Sequence, residues 1–226
     1  MKQTGWYIVF ALILIGELVG IQTQNITLQY ICKPMIVPVV MGFLLTALKC
    51  QIAGKAKWII AALIFSWMGD ILLLFESADA QFFIFGLAAF LMAHIYYIVF
   101  FHRIRMAENI KSNPWLLVIV VLYYAALMHW LSPYLYDMKW PVRVYGIVIS
   151  FMFMLAMHMS WLRQSIAGRW MVMGALLFVI SDSVLAINKF YQSFSYAGII
   201  IITTYAVAQF CIVKGAVLYF LSTKKE

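Results

Sequence analysis

Residues 81–101 read QFFIFGLAAFLMAHIYYIVFF, a run without a single Lys, Arg, Asp or Glu. At about 1.5 Å per residue, a helix of that length crosses the roughly 30 Å hydrocarbon core of a bilayer. The run is about twice the ~10 residues of a barrel strand, and it does not alternate apolar with polar positions. Bilayer interiors offer no water to backbone N–H and C=O groups, so a spanning segment must be a helix or part of a closed barrel. Length and lack of alternation select the helix.

The same pattern recurs along the chain, at residues 6–21, 28–48, 58–75, 81–101, 114–131, 141–161, 170–188 and 196–220. The 226 residues are 66% hydrophobic and 11% charged, and the mean hydropathy is +0.97. An ordinary globular chain is nearer half apolar, so lipid must be the solvent for much of this surface. The expected fold is all-α: a polytopic transmembrane bundle of about eight spans. The intervening loops are too short for a soluble domain, so residues 1–226 are expected to form one integral membrane domain. The opening stretch MKQTGWYIVFALILIGELVG has the charge and apolar run of a signal peptide. No small-x-small cleavage site follows it, and the next segment is apolar too, so it is expected to be a retained first span.

The formal charge of +8 would suggest nucleic acid in a soluble protein. Here the basic residues cluster in short loops, as positive-inside topology requires, and no nucleic-acid partner is expected. Twelve of the sixteen Lys and Arg fall on the side where the chain begins, among them Lys2, Lys55, Arg103, Arg163, Lys224 and Lys225. Lys33, Lys139, Arg143 and Lys189 fall on the other. Both termini are therefore expected in the cytoplasm of a multi-pass protein of a bacterial inner membrane. Cys32, Cys50 and Cys211 are scattered and read as small apolar packing residues. Nothing in the sequence signals an oligomeric state.

A faint internal repeat runs at an offset of 112 residues. Lys57-Trp58 matches Arg169-Trp170, Asp70 matches Asp182, Leu73 matches Leu185, and Gly86 matches Gly198. Two four-span halves of the same orientation would follow, a 4+4 parallel pseudo-repeat.

An ionisable side chain at membrane depth costs about 2.5–3.5 kcal/mol on insertion scales, so each one needs a reason. Glu17, Lys33, Asp70, His94, His158 and Asp182 are such groups, with Ser66, Ser181, Ser183, Asn188, Tyr145, Tyr205 and Gln209 as uncharged companions. Counting rises from the span ends puts both aspartates roughly 9–10 Å inside the non-cytoplasmic boundary. Lys33 and Glu17 share that layer, and Asn188 and Tyr145 lie in the same half. His94 is expected roughly 10 Å deeper than Asp70. One polar pocket opening away from the cytoplasm is the expectation. Blander roles exist for each. Lys33 can snorkel to the interface, and Lys33-Pro34 fits a helix's first turn. A lone aspartate can be a packing ion pair, and Tyr205 with Gln209 can join helices. His158, near the cytoplasmic end, reads as structural.

Other chemistries find no motif. There is no GxSxG elbow, HExxH, cysteine pair, Walker or dinucleotide glycine pattern. Dispersed histidines argue against a three-histidine zinc site, so neither metal nor cofactor is expected.

Several blocks together resemble the YhhN family, which includes lysoplasmalogenases. They are AALIFSWMGDILL at 61–73, FFIFGLAAF at 82–90, AHIYY at 93–97, GALLFVISDSVLAINKF at 174–190, Lys33-Pro34, and YAVAQ at 205–209. The resemblance covers the second to the eighth span. It implies an enzyme that hydrolyses the vinyl ether of lysoplasmalogens to a fatty aldehyde and glycerophosphoethanolamine or glycerophosphocholine. A lysophospholipid and membrane lipid would then be its partners. An enol ether is cleaved by protonating its β-carbon and capturing the oxocarbenium ion with water. Two carboxyls, Asp70 and Asp182, can divide proton donation and charge stabilisation, as in glycosidases. Lys33 would hold the phosphate, and His94, Tyr145, Asn188, Tyr205 and Gln209 would line the substrate site. A proton-coupled lipid or small-molecule transporter is the competing class, since it too uses intramembrane carboxylates and repeats. A non-catalytic membrane scaffold is the third.

Overall fold

The computed structural model describes residues 3–50 and 54–223. Eight helices follow in order: α1 (Gln3–Gln22), α2 (Ile26–Ala47), α3 (Ala56–Leu74), α4 (Gln81–Ala107), α5 (Trp115–Leu131), α6 (Lys139–Met157), α7 (Ser165–Ala186) and α8 (Ala197–Thr223). Each is long and apolar enough to cross a membrane, with α5, α6 and α7 counted together with the short turns that extend them. No strand occurs among the described residues. The chain is a multi-pass, all-α membrane protein, as its apolar runs require. Lys2, Lys224 and Lys225, part of the basic count that sets the expected topology, lie outside the described residues.

The helix ends differ from the apolar runs in instructive ways. α4 continues six residues past Phe101, because Ile104 keeps the buried stripe going while His102 and Arg103 point outward. α7 continues beyond Ala186 as a π turn over Ile187–Tyr191. Pro34 is not in a first turn: α2 starts at Ile26, so Pro34 and Pro38 are both interior. Pro38 has no N–H to give the carbonyl of Pro34, four residues earlier. The Trp67 indole N–H of α3 donates to that carbonyl at 2.9 Å, supplying the bond that proline cannot.

The principal contacts form a closed cycle of six helices, α2–α3–α4–α6–α7–α8 and back to α2, with α1 packed outside on α2 and α8, and α5 outside on α6. Shifting every label by four maps this pattern almost onto itself. The α1–α2, α2–α3 and α3–α4 contacts become α5–α6, α6–α7 and α7–α8, and α4–α6 becomes α8–α2. The α1–α8 contact is the exception. This is the neighbour pattern of two parallel four-helix halves. The closest pair, α7 with α8, depends on missing side chains: a Cβ on Gly174 would stand 2.7 Å from the Ala208 carbonyl oxygen, and one on Gly215 would stand 2.7 Å from that of Ala167. Small residues let helix backbones approach where lipid offers no hydrophobic drive.

Candidate active site

The turns α1–α2, α3–α4, α5–α6 and α7–α8 gather at one end of the bundle, here the distal end; the chain's described ends lie at the other. A cavity of about 380 Å³ sits in the distal half. Its charged lining is Glu17 of α1, Lys33 of α2, Asp70 of α3 and Asp182 of α7, with Glu76 from the α3–α4 turn. Glu76 is held by an ion pair, Lys189 Nζ to Oε1 at 2.8 Å. Lys33 is within electrostatic reach of both Glu17 and Asp70. Glu17, Lys33, Asp70 and Asp182, four of the groups counted into one polar layer, line this cavity.

Helix direction assembles the interior of the site. Side chains on a helix lean toward its N-terminus. α3 and α7 start at the terminal end, so Asp70 and Asp182 lean inward from the mouth. α4 and α8 start at the distal end, so His94 and Tyr205 lean outward. Each pair meets: Tyr205 donates to Asp70 Oδ2 at 2.7 Å, and His94 Nε2 lies 3.2 Å from Asp182 Oδ2. The depth of His94 is bridged by these opposite tilts. Both bonds cross between the halves, α8 to α3 and α4 to α7.

Asp182 carries a second partner. Tyr145 of α6 donates to the same Oδ2 at 2.5 Å, and its oxygen is 2.9 Å from His94 Nε2. A phenol has one proton. With that proton on Asp182, Nε2 of His94 must carry its own hydrogen and donate to this pair. His94 is fully buried, and its Nδ1 has no partner among the described residues. Beside it, Tyr123 of α5 contacts the Ser183 hydroxyl at 2.7 Å, and Ser183 donates to the Val179 carbonyl. The Ser183 proton is spent there, so Tyr123 is the donor.

Phe178 of α7 links the two aspartate clusters. Its ring is edge-on to Tyr205, with centroids 5.4 Å apart, and edge-on to His94 at 4.7 Å. Gln209 is buried behind Tyr205 and accepts a hydrogen bond from Tyr97 of α4; it does not line the cavity. Asn188 is not brought to the cavity either. Its side chain accepts from the Phe194 N–H at 3.2 Å and shapes the loop after α7. His158 bonds Met154 and Asn113 at the terminal end, remote from the cavity. Of the expected group, Lys33, Asp70, Asp182 and Tyr205 line the cavity, and His94 and Tyr145 stand directly behind Asp182.

Two apolar crevices of about 30 Å³ each also reach Asp182. One is walled by Phe83, Leu87 and Phe190, between α4, α6 and α7. The other is walled by Tyr124, Leu127 and Met128 where α5, α6 and α7 meet. Asp182 is therefore a shared wall between a charged cavity and apolar space. Among the described residues, no three His, Cys, Asp or Glu side chains converge as metal ligands.

The sequence model of the YhhN family matches residues 28–216. A human protein named lysoplasmalogenase TMEM86B is 34% identical over 167 residues, which is 72% of this chain and 65% of that protein. Human lysoplasmalogenase TMEM86A is 33% identical over 168 residues, 72% of this chain and 66% of that protein. A lysoplasmalogenase of Mycobacterium tuberculosis is 30% identical over 167 residues, 73% of this chain and 62% of that protein. The chain thus spans a little under two thirds of the length of these curated relatives. No solved structure matches.

Proposed function

The chain belongs to the YhhN family, and from that premise we propose that it hydrolyses the vinyl ether bond of lysoplasmalogens, giving a fatty aldehyde and a glycerophospho-headgroup. The relatives' names support the reaction class. The observation that carries it to this site is the double exposure of Asp182, to a charged cavity on one side and to apolar crevices on the other. A lysoplasmalogen joins a charged headgroup to an apolar chain through its vinyl ether. With the headgroup in the cavity and the chain leaving toward lipid past the apolar side of Asp182, the vinyl ether lies beside Asp182.

The reaction is R–CH=CH–O–R′ + H₂O → R–CH₂–CHO + HO–R′. A proton adds to the β-carbon, the ether oxygen and adjacent carbon share the resulting positive charge, and water adds to that carbon. The hemiacetal then collapses, expelling the glycerol oxygen as an alcohol. Asp182 has Oδ2 fixed by Tyr145 and His94, which orients the carboxylate toward an oxocarbenium ion without reorganisation. Asp70, buried and held by one tyrosine, is the proton donor in this scheme, and the water enters from the cavity. Lys33 takes the phosphate as a point charge. The cavity opens on the non-cytoplasmic side, and both termini are cytoplasmic in a bacterial inner membrane; the Lys and Arg asymmetry supports this orientation.

Purified protein in detergent should release aldehyde from a lysoplasmalogen and none from the saturated ether analogue. Absence of aldehyde, with transfer of labelled lipid across sealed vesicles, would favour a transporter instead.

A further inference from the structure

We propose that Glu17 reads the ammonium of the headgroup, so that Glu17 and Lys33 together form a subsite for a zwitterion and favour ethanolamine over choline. The proposal rests on the lysoplasmalogen reading for its substrate class, and adds to it a residue of α1, which lies before the matched residues 28–216.

α1 is mostly lipid-facing, yet Glu17 is only 1% exposed. Gly16 and Gly20 explain how. They stand four apart on the face toward α2, where a Cβ would meet Cys32 Sγ at 2.8 Å and Gln29 Cγ at 3.1 Å. The Gln29 side chain also donates to the Gly20 carbonyl at 3.1 Å. This close approach turns Glu17 into the cavity beside Lys33. A carboxyl placed there is costly unless something compensates it. α1 does not need it for packing, because Trp6, Tyr7, Phe10 and Leu14 already seat the helix on the core.

The other lining carboxyls all have side-chain partners. Glu76 has Lys189, Asp70 has Tyr205, and Asp182 has Tyr145 and His94. Glu17 has no side-chain hydrogen-bond donor among the described residues, and its Oε2 is buried without a partner. Lys33, whose charge and backbone N–H both act on Glu17, stands beside a carboxyl with one oxygen unpaired, and the two match a phosphate joined by two carbons to a primary ammonium. That ammonium offers three N–H donors to a carboxylate; a quaternary ammonium offers none. Choline recognition calls for an aromatic cage. The aromatic lining here, Phe90 and Tyr205, packs edge to face on itself with centroids 5.7 Å apart.

The test measures binding without cleavage. Saturated 1-alkyl lysophospholipids with ethanolamine or choline headgroups are titrated against the full chain in detergent, reading thermal stabilisation. Wild type should bind the ethanolamine lipid tighter, by on the order of tenfold. Glu17→Gln should bring the ratio near one by weakening ethanolamine binding alone, and Lys33→Ala should weaken both lipids. Should Glu17→Gln fail to fold, Glu17→Asp serves: the withdrawn carboxylate should weaken ethanolamine binding alone and lower the headgroup ratio, and an unchanged ratio there overturns the proposal equally. An unchanged headgroup ratio in Glu17→Gln, or no preference in wild type, overturns the proposal. Headgroup discrimination without aldehyde release from a vinyl ether substrate would overturn the hydrolase reading and leave this subsite standing. No binding of either lipid would overturn both.

Discussion

Tyr145 spends its only hydroxyl proton on Oδ2 of Asp182, at 2.5 Å, and so leaves His94 to approach the same oxygen as a second donor. The carboxylate is held from two helices, α6 and α4, and cannot rotate away from the cavity without breaking both contacts.

Replacing either aspartate tests the chemistry directly. Asp70→Asn and Asp182→Asn keep shape and most hydrogen bonding, but remove the acid and the negative charge. Each should lower turnover per folded molecule by roughly 10²–10⁴-fold, the range for losing a general acid or a major electrostatic stabiliser. Turnover is measured on protein that elutes as a monodisperse peak in detergent. Near wild-type turnover in both variants would eliminate the carboxylate mechanism.

Tyr145→Phe should leave Asp182 with one donor. A hydrogen bond to a charged group contributes about 1.5–3 kcal/mol, so kcat should fall by about tenfold to a hundredfold. KM should change little, because Tyr145 does not line the charged cavity and phenylalanine keeps the ring that borders both apolar crevices. A raised KM with unchanged kcat would instead assign Tyr145 to substrate binding.

Gly174→Val should destabilise the bundle. Its Cβ would lie 2.7 Å from both the Ala208 carbonyl oxygen and Ile212 Cγ1, so α7 and α8 must separate. Overpacking of this kind costs about 1–3 kcal/mol or more. The midpoint of thermal unfolding in detergent should drop by several degrees; an unchanged midpoint would contradict the close α7–α8 packing.

Topology can be read with reporter fusions. Fusions after Asn109 and at Glu226 should report cytoplasm, and fusions near Gln24 and Ala78 should report the opposite side. In a chain lacking native cysteines, a cysteine at Leu74, on the cavity wall, should react with an impermeant thiol reagent from outside. Labelling only from the cytoplasmic side would invert the assignment.

Spans and depths were legible in the sequence because both are axial quantities. Apolar run length marks a crossing, and rise per residue gives the level of Asp70 and Asp182. What depth does not contain is azimuth, the direction a side chain takes around its helix. Asn188 shares the half of the membrane that holds the site, but the π turn over Ile187–Tyr191 resets the register and sends its amide to Phe194. Tyr97 and Tyr123, which donate to Gln209 and Ser183, were hidden among the thirteen tyrosines of the chain for the same reason. Glu17 was visible as a charge in the right layer, while its rotation toward Lys33 depends on the Gly16–Gly20 contact with α2.

The crossed bonds between halves have a consequence for symmetry. A four-helix chain that paired in parallel with a second copy of itself would complete both carboxylate positions at once, each copy's fourth helix serving the other copy's third. In one chain, with the halves joined through the segment 108–114, which lies outside the α4 and α5 helices, the two positions are free to differ. One has a single tyrosine; the other has a histidine and a tyrosine from α4 and α6. Fusion converts two identical seats into a division of labour that a symmetric dimer cannot adopt.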